Sequence, residues 1–467
     1  MASTRDQVEA YTFEARRQVV ALLQGDDPAT IDPRRRLNRS LIAGTIISVL
    51  LLAGVGVAGF LNGGASTSVP DNGAVVTSGT GGGRFVIINH VAHPALNLAS
   101  AMLVGGKDVK TVSAGALDKL PRGLPVGIPQ APDALPSADH LLDGPWTACS
   151  TAPQASAARP QVDVSIGAPV SAPMGDGAGV VARLPDGSTW LIDGGLRYRV
   201  QPEASTLLGL DRVDPTPLGA QLLDLVPEGP PLSLPNIAGS GTAPQRDLGF
   251  AARVGDLVEV DLGADQPGRY LVMADGVVPV DAFAFALLAG TAPATLHVPA
   301  RQVAAAASTS RPPLPANWPH NALRMVGPVA GAPLCFSYDA SAARTAGAWP
   351  MTMTMPGTAP VPAGAQPVVP TSGSLPTDAT SIAIPPGAGL LVYATAAGGA
   401  HGVYALVTDS GLRFSVATTD AVTRLGYNPQ LATPVPLPFL DLLPAGPALD
   451  PAAAAREYGG AAPPSGR

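Results

Sequence analysis

Charge is scarce in this chain. Only 13% of its 467 residues are Asp, Glu, Lys or Arg, and the net charge is −7. That balance excludes the concentrated basic face that nucleic-acid binding requires. Aromatic residues make up 4%, and there are two cysteines, Cys149 and Cys335. No Gly-x-Ser-x-Gly elbow occurs, which removes sequence support for serine-hydrolase chemistry. What is plentiful is glycine, 53 residues, and proline, 51. Both break regular structure, so the expected fold has short helices and many loops. The length leaves room for roughly two to four domains and an ample core.

The longest stretch without charge organises the rest. Leu41 to Leu61 reads LIAGTIISVLLLAGVGVAGFL. As a helix it would reach roughly 32 Å, enough to cross the hydrocarbon core of a bilayer. Arg34, Arg35, Arg36 and Arg39 precede it, and no Lys or Arg follows until Arg84. Positive charge stays on the cytoplasmic side, so the N-terminus is expected inside and the bulk of the chain outside. A cleaved signal peptide would have a shorter apolar core and a much shorter leader.

Both cysteines lie beyond this span. In an oxidising compartment two widely spaced cysteines read as one disulfide. Closing so long a loop would stabilise the fold by roughly 5 kcal/mol in the chain-entropy model. Two buried thiols or an intermolecular bridge are the alternatives. A redox-active pair would want a Cys-x-x-Cys spacing, which is absent.

Residues 4–24 have a helical period, with Val8, Tyr11, Ala15, Val19 and Leu22 on one stripe. Ser3 or Thr4 can cap the start and Gly25 can end it. A lone helix of this length cannot bury its own stripe, so a membrane surface or another protein must cover it. The mixed charges Arg5, Asp6, Glu9, Glu14, Arg16 and Arg17 favour a protein. A polar connector follows, whose Asp-Pro pairs resist helix. Residues 62–83 are a linker by composition.

Beyond the linker the chain repeats itself. LIDGGLRYRV at 191–200 matches LVTDSGLRFSV at 406–416, and each runs on to a Leu-rich tail ending in Pro-x-Gly-Pro. A weaker pair is GRFVIINHVAHP from 83 and GRYLVMADGVVP from 268. These give four degenerate repeats in two halves about 200 residues apart. VVARL and TWLID flank the hairpin signal Leu184-Pro185-Asp186-Gly187-Ser188. LVEVDLG, MTMTM and GLLVYAT also read as strands. The expected architecture is α+β: a single N-terminal transmembrane helix, then an elongated region with a central β-rich domain and four repeats in two pseudo-symmetric halves. The N-terminal divisions are a cytoplasmic helix and connector (1–40), the span (41–61) and the linker (62–83). The repeats cover 84–136, 188–235, 267–318 and 403–450. The central β domain is expected in three segments between them, 137–187, 236–266 and 319–402, and a tail follows at 451–467.

Catalytic chemistry finds little support. The nearest approach to a phosphate-binding loop is Val104-Gly105-Gly106-Lys107-Asp108. Its first glycine is Ala101 and its metal-binding hydroxyl is replaced by Asp108, which would repel phosphate. His90 and His93 have metal-ligand spacing on a helix, but no third ligand is near and Pro94 favours a loop. Asp193, Asp275 and Asp409 precede turns, where an aspartate caps backbone N–H groups. Trp146, near Cys149, reads as a core ring beside a bridge. No catalytic, cofactor-binding or metal residue is assigned.

These residues together resemble one family. The Arg16-Arg17 helix, Asp32-Pro33-Arg34 and the single span match it at the N-terminus. Leu96-Asn97-Leu98-Ala99-Ser100-Ala101 matches further on, as does the run from Gly127-Ile128-Pro129-Gln130 to Pro136. Trp146, Cys149, Leu425-Gly426-Tyr427 and Leu443-Pro444-Ala445-Gly446-Pro447 complete the likeness. The chain resembles the EccB component of the type VII (ESX) secretion system of actinobacteria. The resemblance implies a single-pass inner-membrane protein with a periplasmic body of four repeats around a central β domain, held by one disulfide. It implies a membrane complex with EccC, EccD and EccE, in which EccC is the motor ATPase, and association of copies through the periplasmic domains. The repeats of the family look like a phage-lysin cell-wall-binding fold, which implies peptidoglycan contact. The family also carries an ATPase label, and ATP enters only through that label. His90-Val-Ala-His93 replaces the usual run in the first repeat. The expected function is therefore a structural subunit of the export channel. The alternatives are a periplasmic ATPase or cell-wall-active enzyme, and a peptidoglycan tether.

Overall fold

The computed structural model describes residues 4–24, 33–61, 66–79, 82–152, 160–175, 177–184, 186–261, 267–329, 331–340, 349, 351–369, 379–396 and 402–458. Gly25, the connector up to Asp32 and the tail beyond 458 fall outside them. Helix α1 spans Thr4–Gln24, and α2 spans Pro33–Leu61 and contains the whole apolar stretch. The connector expected up to residue 40 is thus helical from Pro33 onward. Proline is well placed in a first helical turn because its missing N–H would have no partner there. The side chains of α2 are described for residues 40–55, all exposed. Among the described residues no helix is long and apolar enough to cross a membrane.

In chain order, unit 1 holds strands β1 (Val75–Ser78), β2 (Arg84–Ile88), β3 (Val91–Pro94) and β4 (Val109–Val112). Strands β5 (Trp146–Thr151) and β6 (Gln161–Ile166) follow. Unit 2 holds β7 (Ala178–Arg183), β8 (Thr189–Asp193), β9 (Leu196–Val200) and β10 (Thr216–Pro217). Unit 3 holds β11 (Leu257–Val260), β12 (Gly268–Met273), β13 (Gly276–Pro279) and β14 (Thr295–His297). After β15 (Arg324–Met325), β16 (Leu334–Tyr338), β17 (Met351–Thr354) and β18 (Ser381–Ala383), unit 4 holds β19 (Gly389–Thr395), β20 (Gly402–Thr408), β21 (Arg413–Val416) and β22 (Thr433–Pro436).

All four units share one topology. The sheet orders are β3-β2-β1-β4, β10-β7-β8-β9 (with β15 also parallel to β7, at Ala178 and Gly179), β13-β12-β11-β14 and β21-β20-β19-β22. In each, the first three strands form an antiparallel meander and the fourth lies parallel to the first, on its far side. A short helix carries the chain from third to fourth strand. In unit 1 it is α3, Leu98–Gly105, capped by Asn97, whose side chain accepts from Ser100 N. Asp281 and Thr418 cap the equivalent helices at 282–289 and 419–424. In units 1 and 2 the hairpin between second and third strands turns on two residues of positive φ, Asn89-His90 and Gly194-Gly195, whose twist suits adjoining strands.

The tail of each unit then returns parallel to its third strand. In three units a ring on that strand lies over a tail glycine. A Cβ on Gly123 would strike His93, one on Gly229 would strike Tyr198 and one on Gly446 would strike Phe414. This close approach explains the Pro-x-Gly of the tails. Units 2 and 4 also repeat an ion pair from third strand to tail, Arg197 with Asp224 at 2.5 Å and Arg413 with Asp441 at 3.2 Å.

The boundaries differ from those expected. Each unit opens one strand upstream, so β1 lies in the stretch read as linker and β7, β11 and β19 lie in stretches read as central domain. The central sheet draws on 146–166 and 334–383, not on 236–266, where β11 belongs to unit 3. The reason is burial. Val180 and Ala182 of β7 enter one apolar core while Val181 enters another, and Leu390 and Leu391 of β19 divide likewise. A strand covered on both faces is apolar throughout and carries no alternation.

The central sheet has the order β17-β16-β5-β6-β18. Its Trp146, Ala148, Val164, Ile166, Phe336, Tyr338, Met351 and Met353 join a core shared with units 2 and 4. Unit 4 shares a second core with unit 1, and unit 2 a third with unit 3. Units 1 and 3 add cores of their own. The packing order is therefore unit 1, unit 4, central sheet, unit 2, unit 3, although the sequence likeness pairs 1 with 3 and 2 with 4.

Candidate functional site

The two cysteines meet on the seam between the halves. Cys149 on β5 stands directly opposite Cys335 on β16. They form a disulfide with Cα atoms 4.0 Å apart, across 186 residues of chain. On the same face Thr147 and Ser337 share a hydrogen bond of 2.9 Å. Trp146 points to the opposite face, fully buried, edge-on to Phe439 at 6.0 Å. Its separation from Cys149 is odd in a strand, so ring and bridge take opposite sides.

The joints between units rest on a few polar contacts that sequence reasoning missed. Between units 2 and 3, Tyr198 donates its hydroxyl to Asn317 O at 3.0 Å and Trp318 packs edge-on to Phe283 at 6.1 Å. Burial, reinforced by the charge of Asp193, pushes the Tyr198 phenol up to about 12. Between units 4 and 1, Arg424 donates to Leu103 O and Val104 O at 3.3 and 3.1 Å. Tyr427 donates to Pro136 O at 2.7 Å, and burial raises its phenol further still. The backbone of 456–458 also pairs with 125–127. The rings of Tyr198 and Phe414 align in the repeats, which marked the position, but not which neighbour it would face.

The stretches considered for chemistry occupy structural places. Gly105 ends α3 and Gly106 donates back to Met102 O, so 104–108 lies at the carbonyl end of a helix dipole. Phosphate loops use the opposite end, where N–H groups and positive potential meet the anion. His90 is an exposed turn residue, whereas His93 is buried in β3 with Nδ1 2.9 Å from Leu124 O. Asp275 accepts from Ser308 and Ser310 at 2.6 and 2.8 Å, and those hydroxyls hold its carboxyl below the usual range. Asp409 accepts from Gly387 N at 2.8 Å. Asp193 ends β8, buried, beside the turn. Among the described residues no three His, Cys, Asp or Glu side chains gather as a metal site.

A hollow of about 480 Å³ lies where the Asp193–Tyr198 hairpin, residues 316–321, residues 173–175 and 177–178, and β17 meet. Trp318 and Tyr198 in its wall are almost wholly buried. At the N-terminus, α1 exposes Val8, Tyr11, Val19, Leu22 and Leu23. The molecule thus combines two N-terminal helices with exposed side chains and a body locked by shared cores.

Comparisons with known proteins follow that division. The family model for the type VII secretion system ESX-1, transport TM domain B (EccB), matches residues 1–463. The ESX-3 secretion system ATPase EccB3 of Mycolicibacterium smegmatis is 28% identical over 480 residues, covering 96% of this chain and 89% of that protein. The ESX-2 secretion system ATPase EccB2 of Mycobacterium tuberculosis is 29% identical over 481 residues, covering 96% and 93%. A chain in the structure of an intact ESX-5 inner membrane complex superposes over 100% of this one and 98% of itself, with a TM-score of 0.68 and 25% identity. The structure of the EccB3 dimer from the ESX-3 core complex gives a TM-score of 0.67 at 25% identity, over 82% and 100%.

Proposed function

This chain belongs to the EccB family of type VII secretion systems, and on that premise we propose that it is a structural subunit of an ESX-type inner-membrane complex, anchoring and assembling the periplasmic side of a protein-export channel. The observation that carries the reading is the fit of the whole chain to a subunit of an intact ESX-5 inner membrane complex.

In this reading Leu41–Leu61 of α2 is the single membrane span, with α1 cytoplasmic and the elongated body periplasmic. The arginines before the span and their absence after it support that orientation. The exposed stripe of α1 docks on the membrane subunits, EccC, EccD and EccE, and the bodies associate with one another around the exit path. The mechanism is mechanical: a disulfide and shared cores make the body stiff, so position fixed at the membrane is transmitted to the far units. ATP hydrolysis, named for the relatives, has no support in the placement of residues 104–108 at a helix carboxyl end.

The test is deletion of residues 4–24 from the full chain. The expected outcome is loss of co-purification with the membrane subunits while the body stays folded and disulfide-bonded. Normal assembly of the deleted protein would defeat the docking assignment. Incubating the purified body with ATP and, separately, with insoluble peptidoglycan distinguishes the enzyme and tether alternatives from a pure scaffold.

A further inference from the structure

The fourth strand is the outer edge of every unit, and three of the four outer edges are closed. In unit 1 the segment at Ser66 lies parallel to β4, with Ser66 N donating to Thr111 O at 3.0 Å and Ser113 N to Ser66 O at 2.9 Å. In unit 2, Pro217 of β10 has no N–H to offer, and its carbonyl accepts from Ser150 Oγ at 3.1 Å. In unit 4, Pro434 of β22 likewise lacks the donor, and its carbonyl accepts from Tyr338 Oη at 2.8 Å. Unit 3 differs. Its β14 carries no proline, and Thr295 and His297 are exposed. Leu257 N donates to Ala294 O and Val298 N to Glu259 O, so residues 294, 296 and 298 face β11. Parallel pairing alternates, which turns the N–H and C=O groups of Thr295 and His297 outward. No hydrogen-bond partner meets them among the described residues.

We propose that this edge pairs with the same edge of a second copy, antiparallel about a two-fold axis through Leu296. The edge is complementary to itself. Thr295 of one copy would exchange two hydrogen bonds with His297 of the other, and the symmetric pair would do the same, four in all. The two sheets become one of eight strands, β13-β12-β11-β14 continued by its mirror order. An isologous contact of this kind closes and cannot propagate into a fibre. The bracketing Pro293 and Pro299 restrict it to these residues and exclude register slips. The lateral groups are compatible, a hydroxyl opposite an imidazole, with no lysine to repel. Four hydrogen bonds are far below what a free dimer needs. The pairing therefore operates between copies already held together, and it rests on the scaffold reading above.

The experiment uses the full chain in detergent-solubilised membranes. Thr295→Cys with His297→Cys places thiols across a hydrogen-bonded pair, where the usual Cα separation permits a disulfide. Mild oxidation is expected to give a covalent dimer, and Thr295→Pro in the otherwise unaltered protein to reduce association of unit 3. Hydrogen exchange provides the second measurement: the amides of Thr295 and His297 should slow at least tenfold in assembled copies relative to dispersed ones. Assembled copies in which those amides exchange as fast as in dispersed ones, with no crosslink, overturn the inference alone. Protected amides without a crosslink overturn the choice of a second copy as occupant. Copies that do not associate at all overturn the scaffold reading and this pairing with it.

Discussion

Removing the bridge between Cys149 and Cys335 by double substitution to alanine should weaken the central sheet by between about 2 and 5 kcal/mol. The upper figure follows from the 186 residues between the sulfurs, treated as a free loop in the denatured chain. The lower follows from what that loop contains. Units 2 and 3 share a core apart from the central one, unit 3 adds its own, and if these persist when the central sheet opens the loop is effectively shorter. Alanine suits both sites, because each is almost fully buried and a serine would bring a hydroxyl into that space. The assay is urea unfolding followed by tryptophan fluorescence, with Trp146 reporting from β5 itself and Trp318 from the joint of units 2 and 3. The transition of the central sheet should move to lower urea while that of the outer joint moves less. Reduction of the unsubstituted protein should reproduce the shift without a side-chain cavity. A change below about 1 kcal/mol in both experiments would refute the reasoning, since it would mean that the β5–β16 pairing and the shared core already confine the two halves.

Gly446→Ala should cost about 1–3 kcal/mol, because its Cβ would enter the Phe414 ring, whereas Gly115→Ala, which has open space around it, should be neutral or slightly stabilising in thermal unfolding. Tyr427→Phe leaves Pro136 O without its donor and should lower the melting temperature of the joint between units 1 and 4, at a cost of about 1–3 kcal/mol. Tyr198 and Tyr427 hold their protons in the fold above the ordinary phenol range, by burial first and for Tyr198 by Asp193 second. Stability from both is complete below the unfolded phenol value of about 10 and falls as pH rises above it. Equilibrium unfolding between pH 9 and about 12 should show that fall, and Tyr198→Phe should flatten the portion that lies towards about 12. Lys107→Ala should leave any ATP turnover of the purified complex unchanged, since that residue follows the carboxyl end of α3.

What the sequence disclosed and withheld divides along physical lines. The hairpins of units 2 and 4 were visible because their Asp and Gly turns, the Arg and ring positions and the tail glycines recur with fixed spacing. The first strands of units 2, 3 and 4 read as strands, VVARL, LVEVDLG and GLLVYAT, but not as members of the units, because strands covered on both faces show no alternation, while Val75-Val76 sits among Gly and Ser in a stretch that reads as linker. The fourth strands were obscured by their brevity and by prolines such as Pro217 and Pro434, which ordinarily argue against strand. The two cysteines identified each other by count. The choice of neighbours, unit 1 against unit 4 and unit 2 against unit 3, depends on surfaces such as Met102 with Val422 that no local pattern encodes. The spacing of His90 and His93 suits a metal, but with no third ligand near it the sequence assigns His93 no role. The structure makes it the ring that covers Gly123, a role legible only once the tails had been aligned on the sheets.

The joint between the first and fourth units has a consequence for how the protein is born. Arg424 reaches carbonyls 321 positions upstream. At roughly 5–20 residues per second a ribosome needs between about 15 and 65 seconds to supply that interval. Throughout it the surface of α3 that will meet Val422 and Leu425 is bare, and Cys149 has no mate until Cys335 emerges. For that whole interval a nascent chain of this design carries an uncovered apolar face and a thiol without its mate.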